Sequence, residues 1–242
     1  MSCPKIHVFV TDGRDADVHA HALDTLFRHV PDAEVHTFTT GGLYSRADRR
    51  ETVHDVTGAF LGTYGRRPAG PWSVCGGFPD LVYARFLAPL VLQCRSRIVY
   101  TDNDVEIVSP AFSEIYSIPA RNEVLAAEET PGAQEPNRAR VERILGVSTL
   151  GRPYRNSGVL VMNVSDEDAW RSKIRLMWQM QLVYRFRLAD QDAAFAVLDF
   201  GDLSDRFNRA HYADPEGACL VHYNAANGGK SKIERRIREG VA

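Results

Sequence analysis

Near the start of the chain, the spacing of apolar residues changes from that of a strand to that of a helix and back. Lys5 to Val10 is an almost continuous apolar run, which is typical of a buried strand. Apolar residues then recur at helical spacing from Leu23 to Val30, Pro31 ends that pattern, and Val35 to Thr39 alternates as a second strand. A strand, a helix and a strand in this order predict a parallel pair with a right-handed crossover.

The same periodicities continue along the chain and predict a single α/β domain over residues 1–242. Further strands are predicted over Ser96–Thr101, Val124–Ala127, Gly158–Val164 and Leu220–Tyr223. Helices are predicted over Asp80–Leu87 and Lys230–Arg238, after Ser109-Pro110, and around Val141 with an end at Gly146. Two more are predicted to be capped by Ser165, with Asp168 in a capping box, and by Asp190. Residues 41–77 carry only a helical pattern over Val53–Leu61, and their role is not predicted.

Composition and charge narrow the class of protein. Of 242 residues, 44% are hydrophobic, and 29 Lys and Arg against 31 Asp and Glu give a net charge of −2. This near-neutral balance argues against a protein that binds nucleic acid through phosphates, since such binding needs concentrated lysine and arginine. The four cysteines match no zinc pattern and are predicted to be buried or free thiols.

Neither a signal peptide nor a membrane-spanning apolar stretch is predicted, so we expect a cytoplasmic protein. In the last predicted helix, Ile233 and Ile237 share one side among several basic residues. We interpret this segment as a solvated helix, with a peripheral membrane contact as the alternative.

The sharpest candidate for chemistry is a pair of acids at the end of a predicted strand. Asp102 and Asp104 follow the predicted strand Ser96–Thr101, and their i, i+2 spacing places both carboxylates on one side of an extended backbone. Open α/β sheets bind ligands in the crevice beyond the carboxyl ends of their strands. Because adjacent carboxylates repel unless a cation lies between them, a divalent metal is the expected ligand, and a turn of solvated acids is the alternative.

Four further polar groups fall at the ends of predicted elements. They are Asp12 after the first strand, Asn156-Ser157-Gly158 beside an apolar strand, Asp190-Gln191-Asp192 at a helix start, and His222 at the end of the last strand. Each alone has an ordinary explanation as a turn, a cap or a hydrogen-bonded histidine. Together with the two acids, they indicate a ligand site at the polar edge of the sheet.

The order of these segments resembles glycosyltransferase family 8, the group that contains glycogenin and bacterial lipopolysaccharide galactosyl- and glucosyltransferases. The matching segments are Tyr83–Phe86, Val99–Asp104, Asn156–Asn163, Asp190–Asp192 and Val221–Tyr223, within a resemblance from Lys5 to Tyr223. It implies a GT-A, Rossmann-like fold with a mostly parallel central sheet flanked by helices. It also implies a metal-dependent, retaining enzyme that transfers a hexosyl group from a UDP-sugar to a saccharide or other hydroxyl acceptor.

The resemblance assigns roles to individual residues. Asp102, Asp104 and His222 would ligate the metal, and two carboxylates with an imidazole favour Mn²⁺, with Mg²⁺ as the alternative. Donor binding is assigned to Thr11 and Asp12 (the uracil turn), Arg85 and Asn103. The catalytic candidates, at positions that hold the transferred sugar, are Asn156, Asp190 and Gln191.

One departure from the family pattern concerns a lysine that reaches the donor diphosphate. Family members carry it within Gly-x-x-Lys-Pro-Trp after the metal-binding histidine, but this chain has Gly228 at that position. Lys230 is the predicted replacement, and the alternatives are Lys232, Arg235 or loss of the contact.

The expected mechanism follows from the lack of a strong nucleophile. Retention commonly proceeds through a covalent glycosyl-enzyme, but the amide of Gln191 is weakly nucleophilic and Asp190 is expected to bind hydroxyls. A front-face substitution is therefore favoured, in which the departing phosphate accepts the proton of the acceptor.

The competing functions are a non-catalytic nucleotide-sugar- or glycan-binding module and a phosphatase of the haloacid-dehalogenase type, whose nucleophile motif is also Asp-x-Asp.

Overall fold

Strands and helices alternate along the chain in the computed structural model, which describes residues 4–41, 44, 48–67, 80–93, 97–119, 121–148, 152–224 and 228–240. The strands are β1 (Lys5–Val10), β2 (Ala33–Thr39), β3 (Glu51–Asp55), β4 (Ile98–Thr101), β5 (Val105–Ile107), β6 (Val124–Glu128), β7 (Arg155–Met162), β8 (Phe200–Asp202), β9 (Arg209–Ala210) and β10 (Leu220–His222). The α-helices are α1 (Ala16–His29), α2 (Thr57–Tyr64), α3 (Ala88–Leu92), α4 (Pro131–Leu145), α5 (Glu167–Tyr184), α6 (Ala189–Val197) and α7 (Gly229–Glu239). Asp80–Leu87, Pro110–Ser117 and Asp205–Phe207 form 3₁₀ helices.

The central sheet has seven strands in the order β3-β2-β1-β4-β7-β6-β8. Pairing is parallel from β3 through β2 and β1 to β4 and between β6 and β8, whereas β7 runs antiparallel to both of its neighbours. The predicted α/β class, the mostly parallel central sheet and the opening β1-α1-β2 unit are confirmed.

Helices cover both faces of this sheet because successive strand residues point to opposite sides. Val8 of β1 packs in the layer that contains Trp170 and Trp178 of α5, while the next residue, Phe9, packs with Leu26 of α1 on the other face. Each of these side chains is at most 2% exposed. Burial on both faces explains why β1 has a continuous apolar run instead of an alternating one.

A second, three-stranded sheet with the order β5-β10-β9 lies beside the end of β4. The chain leaves β4 through Asp102–Asp104 and enters β5, which pairs antiparallel with β10. The backbone N–H of Tyr223 donates to the carbonyl of Asp104 at 2.7 Å. The small sheet therefore brings the end of β10 next to the two acids.

The region 41–77 contains a strand that the sequence pattern did not predict. The helical prediction over Val53–Leu61 is wrong at its start, because Glu51–Asp55 forms β3 on the edge of the central sheet and α2 begins at Thr57. Pairing with β2 outweighs the local helical spacing. Residues 42–43, 45–47 and 68–77, and Ser96 of another predicted strand, lie outside the described residues.

Two predicted helix caps are wrong. Asp166 instead of Ser165 caps α5, and its side chain accepts from the backbone N–H groups of Asp168 and Ala169. Asp190 lies inside the first turn of α6 instead of capping it. Because an acid at any of several neighbouring positions can accept from the unpaired N–H groups of a first helical turn, short-range patterns locate such caps only to within a residue or two.

The strand predicted over Gly158–Val164 is displaced towards its start. The observed β7 begins at Arg155 and ends at Met162, so Asn156 and Ser157 lie inside the strand instead of in a turn before it. The helices predicted at Asp80–Leu87 and after Ser109 form as 3₁₀ helices.

The terminal helix α7 is docked on the fold. Ile233 is fully buried and packs with Val18 and Tyr223, and Ile237 packs against the same group. The interpretation as a solvated helix is therefore wrong for this face, and the apolar side chains needed for a membrane contact are used within the protein. Across the described part of the chain, no helix combines the length and apolar character that crossing a membrane requires.

The one cysteine within the described residues is Cys219, a buried free thiol as predicted. The predictions for Cys3, Cys75 and Cys94 lie outside the described residues.

Candidate active site

A cavity of about 630 Å³ lies beyond the carboxyl ends of β1 and β4. Because β7 runs antiparallel to β4, its first residues reach the same edge of the sheet. All site residues predicted from the sequence line this cavity: Thr11, Asp12, Arg85, Asp102, Asn103, Asp104, Asn156, Asp190, Gln191, His222 and Lys230.

Asp102, Asp104 and His222 form one cluster in the cavity. One ligand atom from each lies within 4.8 Å of the others, and Nε2 of His222 is 3.3 Å from Asp104 Oδ1 and 3.6 Å from Asp102 Oδ2. Burial lowers the pKa of His222, but the carboxylates of Asp104 and Asp102 outweigh that effect and raise its pKa above the ordinary value. Two carboxylates and an imidazole nitrogen fit a divalent transition metal.

The carboxylate of Asp102 has two further partners, both on the oxygen that does not face His222. The hydroxyl of Tyr100, two residues earlier in the chain, donates to Oδ1 of Asp102, and the guanidinium of Arg85 lies 3.2 Å from the same oxygen. The Arg85 guanidinium also stacks 4.5 Å from the centre of the Tyr100 ring. Asp102 is therefore held in orientation before any ligand binds, and Tyr100 is a supporting residue to which the motif assigned no role.

Arg85 is buried at the base of the cavity and is fully committed to the protein. It donates to the carbonyls of Val82 (2.9 Å) and Ser157 (2.7 Å), and its Nε lies 3.4 Å from Asp190 Oδ2. Burial lowers the pKa of Arg85, but the surrounding carboxylates, of which Asp102 has the largest effect, raise it above the ordinary value. The side chain therefore supplies a permanent positive charge between Asp102 and Asp190.

Asp190 is a buried carboxylate with unused capacity to accept hydrogen bonds. Burial raises its pKa to about 6, although the positive charge of Arg85 acts in the opposite direction. Its Oδ2 atom accepts no hydrogen bond from the described residues. A hydroxyl group of a ligand in the cavity would supply the missing donor.

The two candidate amides are joined by a carboxylate that sequence reasoning did not select. Oε2 of Glu129 accepts from the side-chain NH₂ of Asn156 at 3.1 Å and from that of Gln191 at 3.0 Å. The amide oxygen of Gln191 accepts from the backbone N–H of Ser157 at 3.0 Å. Glu129 follows β6 directly, so the rule that singled out Asp102, an acid at the end of a strand, would also have found it.

Asn208 is a second missed residue, and no periodic signal marks it. It follows the 3₁₀ helix Asp205–Phe207, and its amide oxygen lies 2.9 Å from Nδ1 of His222. Its amide nitrogen donates to Oδ1 of Asn156 at 2.9 Å. Asn208 therefore links the cluster of metal-ligand candidates to the candidate sugar-binding amides.

Thr11 and Asp12 form a tight turn after β1. Thr11 is buried, its backbone N–H donates to Phe38 and its hydroxyl accepts from the N–H of Gly13 at 3.1 Å. Asp12 accepts from the backbone and guanidinium of Arg14. These hydrogen bonds preorganise the turn, and both residues line the cavity.

Asn103 lines the cavity, but its side chain is engaged by the protein. It donates to the carbonyl of Val10 at 2.7 Å, and its amide oxygen lies 2.8 Å from Nδ1 of His19. His19 in turn pairs through Nε2 with Glu51 of β3 at 2.9 Å, and both side chains are completely buried. A buried histidine–glutamate pair therefore fixes the loop between Asp102 and Asp104.

Lys230, at the start of α7, lines the cavity. Its ammonium group pairs with Asp15, before α1, at 2.7 Å. The side chain is 58% exposed, so it can exchange this partner for a ligand with little cost.

The sequence matches the model of glycosyl transferase family 8 over residues 77–227. This chain belongs to glycosyl transferase family 8. The predicted family and an enzyme of the hexosyltransferase class are thereby confirmed, and membership decides for a glycosyltransferase over the phosphatase and binding-module alternatives. A comparison with curated proteins gives no match.

Solved structures show the same fold at low sequence identity. The galactosyltransferase LgtC, in complex with donor and acceptor sugar analogues, has a TM-score of 0.68 and 18% identity, with 97% of this chain and 95% of that chain covered. The bifunctional glycosyltransferase WbbM has a TM-score of 0.70 and 14% identity over 99% of this chain and 52% of that one. Mouse xyloside xylosyltransferase 1 has a TM-score of 0.61 and 16% identity over 92% and 98%. The predicted GT-A fold of this family-8 chain is confirmed.

Proposed function

We propose that this family-8 enzyme transfers a hexosyl group from a UDP-sugar to a hydroxyl group of a saccharide acceptor with retention of configuration. The observation that carries the proposal is the convergence of Asp102, Asp104 and His222 within 4.8 Å at the edge of the cavity. These residues would hold Mn²⁺, with Mg²⁺ as the alternative. A bound divalent ion would neutralise the negative charge that builds up on the departing UDP.

The donor is proposed to lie across the carboxyl edge of the central sheet. The turn at Thr11 and Asp12 would receive the uracil, and the exposed ammonium of Lys230 would turn from Asp15 to the diphosphate. Arg85 contributes without moving, because its charge is already fixed between Asp102 and Asp190. Asn103 would contribute through its backbone, since both ends of its amide are engaged by Val10 and His19.

The transferred sugar is proposed to bind against Asp190, Asn156 and Gln191. Oδ2 of Asp190 accepts no hydrogen bond from the described residues, which supports a hydrogen bond from a sugar hydroxyl. The amides of Gln191 and Asn156 are oriented by Glu129 and line the same part of the cavity.

A front-face substitution accounts for retention without a protein nucleophile. The amide oxygen of Gln191 already accepts from the backbone N–H of Ser157, and the negative charge of Asp190 is balanced by Arg85, so neither is a strong nucleophile. In the proposed step the bond from the anomeric carbon to UDP breaks, the acceptor oxygen bonds to the same face, and the departing phosphate takes the acceptor proton. Detection of a sugar covalently bound to Asp190 or Gln191 would contradict this step.

We further propose that residues 1–242 form one domain that acts in the cytoplasm. The small sheet supplies His222 to a site built on the central sheet, so neither sheet forms the site alone.

The proposal is tested by measuring UDP release from a panel of UDP-hexoses with Mn²⁺, with Mg²⁺ and with a chelator. We expect one UDP-hexose to raise the melting temperature and to release UDP only with a divalent ion, since ligands that bind the native state stabilise it. Proton NMR of the product would show the retained anomer. If no UDP-hexose binds or reacts with either ion, the proposal is wrong.

A further inference from the structure

A chain of directional hydrogen bonds runs from Glu129 to the metal-ligand candidate His222. It passes through Asn156 and Asn208, and these four residues are called the orienting chain below. Each link has a donor end and an acceptor end, so the direction of one bond determines the direction of the next.

The directions of these hydrogen bonds are set first at Glu129, because a carboxylate accepts hydrogen bonds and cannot donate them. Its Oε1 accepts from the backbone N–H of Thr130 at 2.9 Å, and its Oε2 accepts from Asn156 and Gln191. The side-chain NH₂ of Asn156 must therefore face Glu129. The remaining end of that amide, Oδ1, must face the other way.

Oδ1 of Asn156 receives two donors. They are the backbone N–H of Gly158 and the side-chain NH₂ of Asn208, each at 2.9 Å. With its NH₂ directed at Asn156, Asn208 presents its oxygen to Nδ1 of His222 at 2.9 Å. An oxygen at this position requires the proton of the imidazole to be on Nδ1.

A proton on Nδ1 leaves Nε2 with its lone pair when the ring is neutral. Nε2 is the atom that faces Asp102 and Asp104, at 3.6 and 3.3 Å. The reverse tautomer would direct an N–H group at the metal position and leave Nδ1 unprotonated against an oxygen.

We infer that Glu129 is a positioning residue that sets, through Asn156 and Asn208, the tautomer in which His222 presents Nε2 to the metal. This inference rests on the proposed metal site. It assigns Glu129 a role in the metal centre although it is not a ligand, and it couples the orientation of the sugar-binding amides to that centre. Partners of this kind change metal affinity by roughly 10- to 100-fold when they are removed.

The substitution Glu129→Gln tests the start of the orienting chain with little change in shape. Glu129 accepts three N–H groups with two oxygens, whereas glutamine offers one oxygen and an NH₂ group. The glutamine NH₂ must then face either the N–H of Thr130 or the amides of Asn156 and Gln191, so residue 129 no longer requires a single orientation of Asn156. Glu128→Gln is the matched control, because Glu128 precedes Glu129 in the chain, is exposed, and lies outside the cavity lining.

The substitutions Asn208→Leu and Asn208→Asp test the middle of the chain. Leucine removes the acceptor for Nδ1–H of His222. Aspartate has two acceptor oxygens, so it keeps that acceptor whichever way it is turned. In the Asn208→Asp background, the orientation of Asn156 no longer matters to His222, and Glu129→Gln should leave the tautomer unchanged.

The first measurement uses the metal-free protein. Long-range ¹H–¹⁵N correlation NMR, at a pH well above the range in which histidine titrates, reports which ring nitrogen carries the proton. The signals of His222 are assigned by their loss in His222→Gln. We expect Nδ1–H in the wild type, in Glu128→Gln and in Asn208→Asp, and a mixture of tautomers in Glu129→Gln and Asn208→Leu.

The second measurement is Mn²⁺ affinity by titration calorimetry, without any donor sugar. We expect Asn208→Leu and Glu129→Gln to weaken binding by roughly tenfold or more, and Glu128→Gln to have no effect. If the effect of Glu129→Gln came from its charge alone, it would persist in the Asn208→Asp background, and this result would overturn the inference.

The two proposals fail in different ways. If the wild type binds Mn²⁺ but Glu129→Gln keeps the wild-type tautomer and affinity, the inference is wrong and the proposed function stands. If the wild type binds neither Mn²⁺ nor Mg²⁺, the proposed function is wrong and the inference is overturned with it. Should Asn208→Leu fail to fold, the comparison of Glu129→Gln with and without Asn208→Asp still decides.

Discussion

The imidazole of His222 lies directly against the backbone of Gly158. A Cβ atom added to Gly158 would overlap the ring and would lie 2.7 Å from Nδ1 of His222 and 2.9 Å from Oδ1 of Asn156. The position lies in β7, where the antiparallel strand meets the end of β4. The absence of a side chain at Gly158 is therefore a condition for His222 to reach the acids at 102 and 104.

We expect Gly158→Ala to displace the His222 ring and to weaken Mn²⁺ binding strongly. Overpacking of this kind costs roughly 1–3 kcal/mol of stability. The control is Gly58→Ala in α2, where an added Cβ meets nothing within 4 Å. Calorimetry and thermal denaturation of both variants check this prediction, and unchanged Mn²⁺ affinity in Gly158→Ala would refute it.

Asp104→Asn is expected to abolish metal-stimulated UDP release while leaving the fold intact. Asp104 is partly exposed in the turn between β4 and β5, so its substitution removes a metal ligand and little packing. His222→Ala should likewise lower metal affinity more than stability. Asp168→Asn, on the exposed first turn of α5, is the matched control. Full activity of Asp104→Asn would contradict the assignment of the metal site.

The raised pKa of Asp190 predicts a specific pH dependence of stability. Its pKa is about 6 in the folded protein against 3.8 for the ordinary group, so the folded state binds the proton more tightly. Its contribution to stability is therefore fully present below about pH 4 and is lost as the pH rises through about 6. Chemical denaturation across this range should show a smaller loss for Asp190→Asn than for the wild type. An identical pH profile for the two proteins would contradict the prediction.

Lys230→Ala should raise the KM for the donor while changing stability little. The pair with Asp15 is largely exposed, and such pairs contribute about 0–1 kcal/mol. Lys232→Ala is the control, because Lys232 is exposed on the same helix but does not line the cavity. Steady-state kinetics separate the two lysines. A larger effect of Lys232→Ala would transfer the proposed diphosphate contact to that residue.

Glu51→Gln should destabilise the protein by roughly 1–3 kcal/mol, because glutamine places an NH₂ group where the buried carboxylate of Glu51 accepts hydrogen bonds. Glu51 receives His19 at 2.9 Å, the hydroxyl of Tyr44 at 3.1 Å and the hydroxyl of Thr37. Urea denaturation measures this loss. Glu34→Gln, an exposed acid on the neighbouring strand β2, should have a much smaller effect.

Residues in long periodic segments were predictable because their burial follows from local spacing. The run Lys5–Val10 and the helical stripe of Leu23, Leu26 and Phe27 need only the rule that apolar side chains face a core. Of the short strands, β4 and β10 were predicted, but β3, β5, β8 and β9 were not. The three residues of β5 carry too little pattern, and β3 is a strand only because β2 pairs with it.

The sequence by itself determined the family, the α/β class and the identity of the polar residues at strand ends, because these depend on residue types and their order. Only the tertiary structure decided that Glu129 accepts from Asn156 and that Asn208 links Asn156 to His222. Their contacts are between residues far apart in the chain, and the direction of a hydrogen bond depends on which donor and which acceptor the fold brings face to face.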